Sequence, residues 1–251
     1  MKTEQNSYPR SSSIEDLVSE AVDLIDTRFE KPANIHGLSF GDDDIDLKSS
    51  GVPLDGLTVI AGKTASVCQQ FVLQTIIQQS CSDNKRISSI NLTLPTFHHT
   101  AELLSHFGGI SLNDILRGDI SDALWPGLTL AINKLHEAEI YVYTDVAISI
   151  SSLCNEITVM HRKSGINIFF INDLSQINSK AKKNAHLLKK TARKNNISII
   201  LNYHVSSVKK LCRSEIFKYS DLVIFLKNKH SHHKVTFLKN ISISKPVFFI
   251  T

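Results

Sequence analysis

From residue 56 onward, short continuous apolar runs alternate with longer segments whose apolar residues recur at helical spacing. The runs at 57–61, 87–92, 140–143, 166–171, 197–201, 222–226 and 234–238 predict strands. The segments 68–81, 96–107, 123–135, 151–163 and 180–195 predict helices between the first five. Strands that are apolar throughout, rather than every second residue, need cover on both faces. The pattern therefore predicts an α/β fold with a mostly parallel sheet flanked by helices. The last two strands are separated only by a short polar stretch, which predicts an antiparallel hairpin finish. Ahead of this block, Ser13 opens a helix with Glu15 and Asp16 in its first turn, and Leu17, Ala21, Leu24 and Ile25 continue it to about residue 30. Residues 1–12 are polar and predict a disordered tail. The stretch 31–55 holds Pro32, Gly37, Gly41, Gly51 and Pro53 and reads as an irregular connection. A helix with no neighbour in sequence must bury its apolar stripe on its own domain or on another subunit.

Composition narrows the class without identifying it. A 251-residue chain with 42% hydrophobic and 21% charged residues suits one soluble domain with an N-terminal extension. The formal charge of +4 means that a nucleic-acid surface must arise from clustering. Cys68, Cys81, Cys154 and Cys212 are widely spaced, which argues for reduced thiols in a cytosolic protein and against a zinc site. No apolar run reaches membrane-spanning length.

The candidate chemistry starts where the first strand meets the first helix, in LTVIAGKTASVCQQF. A phosphate-binding loop reads G-x-x-x-x-G-K-[ST], with backbone N–H groups and a helix N-terminus facing the anion. Gly62, Lys63 and Thr64 tempt that assignment, but no glycine lies five positions before Lys63. Counting from Gly62 as the first glycine, the second falls on Val67, the lysine on Cys68 and the hydroxyl residue on Gln69. The length is right and the chemistry is wrong. Val67 resists positive φ, Cys68 carries no cation, and Gln69 is a poor magnesium ligand. Three readings stand: a loop that no longer supports hydrolysis, weakened or altered nucleotide binding through Gly62, Lys63, Thr64, Cys68, Gln69 and Asp173, or ordinary binding.

Several phrases carry a family resemblance. IEDLVSEAVDLIDTRFEKPANIHGLSFG, ILRGDISDALW, the strand around Tyr141, LKKTARKNNISII and SEIFKYSDLVIFL occur in order and near-gapless spacing. Together they resemble the C-terminal ATPase domain of the DnaB family of replicative helicases, a RecA-like P-loop NTPase fold, over nearly the whole chain from Ser13. The resemblance makes 13–30 the family's linker helix and 31–251 its motor domain. It places the Walker A lysine on Cys68, the catalytic glutamate on Thr93, the Walker B aspartate on Asn172, the sensor glutamine near His204 and the arginine finger near Ile243. Asp173 adjoins Asn172, but neighbouring strand residues face opposite ways, so only a bulge would bring it in. Thr93 is no general base at neutral pH, and Asn172 is neutral. The family's N-terminal helical domain, which meets primase, has no counterpart here, and the chain stops soon after Pro246 where relatives continue through another strand.

This implies a pseudo-ATPase on a helicase fold, with no cofactor expected, working through self-association or a protein partner docked on 13–30. The alternative is an ATP-dependent helicase with deviant motifs, using ATP and magnesium. A third reading is a non-motor binder of single-stranded DNA. Two basic clusters follow strands at the expected ligand end: Lys180, Lys182, Lys183, Lys189, Lys190, Arg193 and Lys194, then Lys209, Lys210 and Arg213. A solvated helix face is the competing explanation. Lys239 and Lys245 flank Ile243 as nearby cations. His230, His232 and His233 read as a solvated hairpin turn rather than a metal site, His98, His99 and His204 as packing or capping residues, Trp125 as a core or helix-packing residue, and Cys68 as a buried rather than a reactive thiol.

Overall fold

Leu57–Gly62 forms strand β1, buried along its whole length. The computed structural model describes residues 36–92, 95–145, 148–172, 185–229, 232–240 and 248–250, with 13–15, 18–19 and 22–23 ahead of them. Parallel pairing joins β1 to β5 (Ser198–His204) on one side and to β6 (Leu222–Lys229) on the other. β5 pairs with β4 (Ile168–Asn172), β4 with β2 (Ile87–Asn91), and β2 with β3 (Ile140–Thr144), all parallel. β7 (His232–Asn240) adds antiparallel to β6, and β8 (Phe248–Ile250) antiparallel to β7. The sheet order is β3-β2-β4-β5-β1-β6-β7-β8.

All seven predicted strands are present. β8 is an addition to them, because three residues beyond Pro246 are too few to show a period. The hairpin is tighter than the sequence suggests: β6 runs to Lys229 and β7 begins at His232, so His232 and His233 belong to a strand and not to a turn. His230 lies outside the described residues, as do the tail 1–12, Thr93, Asp173, Lys180, Lys182, Lys183, Ile243 and Lys245.

The helices are α1 (Asp43–Ser49), α2 (Ala65–Ile77, running on into a π-helical turn at Gln78–Ser82), α3 (Thr96–Gly108), α4 (Leu112–Arg117), α5 (Trp125–Glu137), α6 (Ile150–Ser164), α7 (Ala185–Asn195), α8 (Val208–Cys212) and α9 (Glu215–Tyr219). α1 sits inside the stretch that reads as irregular. Its signal is present in the sequence: Asp42 caps Ile45 N–H at 2.9 Å, and Asp43, Asp44 and Asp46 fill the first turn. The side chains of Gln74, Thr75 and Gln79 on α2 and its continuation donate to the carbonyls of Gly41, Phe40 and Ser39, so the α1 segment is fastened to α2.

Strand alternation splits the core into two layers. Leu57, Val59, Phe169, Ile171, Ile199 and Leu201 meet α6, α7, α8 and α9 on one face. Ile60, Ile87, Ile168, Phe170, Ile200 and Ile224 meet α1, α2 and α3 on the other. α3 and α5 touch backbone to backbone, since a Cβ on Gly127 would lie 2.6 Å from the Gly108 carbonyl oxygen. Trp125 is 52% exposed, not a core residue. α5 packs through Ala131 and Gly127, while Trp125 and Pro126 at its start are exposed. Residues 14–15, 18–19 and 22–23 are helical, in keeping with the predicted N-terminal helix, and Ile14, Val18 and Val22 form an exposed row along it.

Candidate functional site

The parallel strands end together along one edge of the sheet, where α/β folds place ligands. Period-2 alternation sets Gly62, Ser89, Asn172 and Asn202 on the face that carries α2 and α3. The site is therefore built from four strand ends and two helices. Its contents differ from what a triphosphate needs.

The loop comes first. β1 ends at Gly62 and α2 begins at Ala65, so Lys63 and Thr64 alone connect them. The sequence predicts a helix opening near Cys68 after a loop of phosphate-binding length. The helix instead winds back three residues through Ala65, Ser66 and Val67. Those residues favour an ordinary helical first turn, because nothing there requires positive φ. Cys68 is consequently inside the helix, fully buried, with its thiol over the strand end. A Cβ on Gly62 would lie 2.6 Å from Cys68 Sγ and 2.9 Å from the Leu226 carbonyl oxygen. The Cys68 sulfur is thus packed directly against the end of β1. His204 closes the outer side, donating from Nε2 to the Lys63 carbonyl at 2.7 Å. Gly62 and His204 are register partners, which puts the imidazole within reach. Lys63 and Thr64 are exposed, and Thr64 makes no side-chain cap to α2.

Beside the loop lies a chain of six hydrogen-bonded side chains. Asn202 Nδ2 donates to Asn172 Oδ1 at 2.6 Å and to Gln69 Oε1 at 3.2 Å. Gln69 Nε2 donates to Glu102 Oε2 at 2.9 Å, and His99 Nδ1 lies 3.3 Å from the same oxygen. His99 Nε2 is 2.7 Å from Ser89 Oγ. A carboxylate only accepts, so His99 donates from Nδ1 to Glu102. Ser, His and Glu stand here in the order of a hydrolase relay. Ser89 and His99 are each 1% exposed, however, so no substrate reaches the hydroxyl.

Loop spacing singles out Gln69 and the family resemblance Asn172, but both miss the partners Asn202 and Glu102. The available signal is a charged residue at i+3 from His99, between the buried Ala101 and Leu103 of α3. These groups do not fit magnesium triphosphate. The side chains at positions 68, 69 and 172 are a thiol and two amides, and the one carboxylate in the chain points a negative charge into the same face. Among the described residues no cluster of His, Cys, Asp or Glu has metal-site geometry.

The two basic clusters separate. Lys209, Lys210 and Arg213 are exposed on and after α8, directly beyond the C-terminal end of β5. Lys189 and Arg193 sit at the opposite end of the sheet. They bind Asp221 Oδ1 at 2.8 and 3.4 Å, while Asp221 Oδ2 accepts the N–H of Leu57, the first residue of β1. For Lys189 and Arg193 the expected place at the ligand end fails, because α7 runs back along the sheet before β5 starts, while Lys180, Lys182 and Lys183 lie outside the described residues. Lys239, offered as a cation near Ile243, donates to the carbonyls of Phe217 and Lys218 at that same lower end. Burial there, followed by repulsion from Lys189, holds its pKa below the usual lysine value. None of the four cysteines forms a disulfide, and no described helix is long and apolar enough to cross a membrane.

Known proteins place this geometry. The chain is 22% identical over 165 residues to the replicative DNA helicase DnaB of Geobacillus stearothermophilus, covering 66% of this chain and 36% of that one. It is 24% identical over 225 residues to the replicative DNA helicase DnaB of Rickettsia bellii, covering 82% of this chain and 45% of that one. It thus spans less than half the length of these relatives. The fold superposes on a solved ATPase domain with a TM-score of 0.80 at 17% identity, covering 96% of this chain and 94% of that one. A structure of a DnaB-like replicative helicase and its interactions with primase gives 0.78 at 17%, over 96% and 64%. Sheet order, strand-end site and sequence converge with the model of the DnaB-like helicase C-terminal domain, which matches residues 37–235, and the chain belongs to that family.

Proposed function

We propose that this chain is a RecA-fold member of the family that has lost ATP hydrolysis and acts as a binding or assembly partner. It associates with itself, with an active ring-forming helicase or with another assembly, through the helix over 13–30, and single-stranded DNA is a further candidate partner. The carrying observation is the thiol of Cys68 against Gly62, in the place where a phosphate loop would seat its anion. The hydrogen-bonded chain from Asn172 to Ser89 supports the same reading, because it satisfies the site's polar groups from within. No nucleotide or magnesium is expected to be required.

The second reading is an ATP-dependent helicase with deviant motifs. Glu102 favours it, as a carboxylate placed among the strand ends, and so do the relatives named as replicative DNA helicases. One experiment separates the two: ATP turnover by the purified protein with and without single-stranded DNA, alongside Glu102→Gln and a truncation lacking 1–30. The first reading expects turnover at the level of a protein-free control in all samples, with self-association or partner capture lost in the truncation. Turnover that single-stranded DNA stimulates and Glu102→Gln abolishes would overturn it.

A further inference from the structure

At the lower end of the sheet, away from the candidate site, the last residue of α7 packs beside α6 six residues before α6 ends at Ser164. Asn195 Nδ2 reaches Thr158 Oγ1 at 3.4 Å, and the strands that follow, β4 and β5, pair from Ile168 and Ser198. α6 ends in His161-Arg162-Lys163, and α7 carries Lys190, Arg193 and Lys194 in its second half. Arg162, Lys163, Lys190, Arg193 and Lys194 are all exposed. α7 contains no acidic residue, and α6 contains only Glu156, more than a turn before the basic end. The carboxylate paired with this group is Asp221, which is buried and already shared between Lys189 and Arg193. Arg86 closes the flank, donating to the Ser164 carbonyl while paired with Glu139.

A cation or two at a helix C-terminus complements the helix dipole. Arg193 shares Asp221 with Lys189, and the other four cations exceed that need. Packed helices lie roughly 8–10 Å apart and α6 runs on about 9 Å past the Asn195 contact at roughly 1.5 Å per residue, so the two basic groups span about four phosphates at roughly 3.4 Å per residue of a strand. Among the described residues no large exposed aromatic side chain accompanies them: Phe97, Trp125 and Tyr141 are exposed, and none of them is on α6 or α7. A surface with cations and no stacking platform suits a duplex, whose bases are already stacked, better than a single strand.

We infer that the basic ends of α6 and α7 form a sequence-independent docking surface for the phosphate backbone of double-stranded DNA, separate from the strand-end site. This does not depend on whether ATP is hydrolysed. The test is fluorescence anisotropy of the full chain with a labelled duplex of about 30 bp across a salt series. Arg162→Gln/Lys163→Gln/Lys194→Gln is compared with Lys209→Gln/Lys210→Gln/Arg213→Gln. All six residues are exposed, and thermal melting of each variant checks that it folds. The expected result is at least a tenfold loss of low-salt affinity in the first variant. Its slope of log K against log salt should also be shallower by about 2–3, at roughly 0.9 for each phosphate no longer neutralised. The second variant should retain wild-type affinity. Absence of duplex binding, loss that follows the α8 residues instead, a preference for a single strand of the same length, or equal competition by polyglutamate (which would indicate an acidic protein partner) would each overturn the inference.

Discussion

Gly62→Ala tests whether the first turn of α2 fills the strand end. Gly62 does not have a left-handed backbone, so an alanine there is penalised only by crowding. Its Cβ would meet Cys68 Sγ at 2.6 Å and the Leu226 carbonyl at 2.9 Å, against a comfortable carbon separation of about 3.5–4.0 Å. Leu226 is backbone in a paired strand and cannot yield, so α2 or β1 must shift by several tenths of an ångström. Overpacking of this kind costs about 1–3 kcal/mol, and two rigid neighbours put the expectation at roughly 2–3. Cys68→Ala alone should cost about 1 kcal/mol, through removal of a small buried group. The two changes should not add. Removing the sulfur relieves one of the two clashes, so the double variant should be about 1 kcal/mol more stable than the sum predicts. Urea unfolding followed by far-UV circular dichroism measures all four proteins, with a constant m-value as the check on two-state behaviour. Gly62→Ala within about 0.5 kcal/mol of the parent, with additive effects, would mean that the strand end is open and the closed loop is wrong.

Two further outcomes follow from buried carboxylates. Asp221→Ala strands Lys189 and leaves the Leu57 N–H without its acceptor, and should destabilise by roughly 3–5 kcal/mol in the same unfolding assay. Asp46 has its pKa raised from 3.8, chiefly by burial and against the hydrogen bonds of Ser39, Phe40 and Gly41. As pH rises past 3.8 the unfolded chain ionises this group before the folded one does, so its contribution to stability falls through that window and levels off above the folded pKa. The stability of the parent minus that of Asp46→Asn, followed from acid towards neutral pH, should therefore decline. A flat or rising difference would refute the assignment.

Much of the fold is legible because strand runs such as those at Ile168 and Ile199 are apolar throughout and bounded by helical spacing. The family phrases then set their order. α1 escapes a reading that weighs Gly41 and Gly51 above the acidic cap between them. Trp125 is misplaced by the default that sends a large aromatic residue to the core, and only the close approach of Gly108 and Gly127 shows that α5 packs elsewhere. At the site, loop spacing finds positions 62, 68 and 69, with the family resemblance supplying 172. It cannot show that the loop is wound into helix, since that depends on which of two allowed conformations Ala65-Ser66-Val67 takes. Nor can it find the link from Asn202 to Glu102, which joins residues a hundred positions apart.

The burial of Cys68 also bears on how such a chain could change over generations. A lysine substituted there on its own would carry an ammonium into a fully enclosed position, at a cost of several kcal/mol unless α2 unwound at the same time. Opening a phosphate-type loop here would need the turn, the charge and the polar neighbours to change together. A single substitution of this kind passes through a less stable protein, so one wound helical turn holds the sequence near what it is.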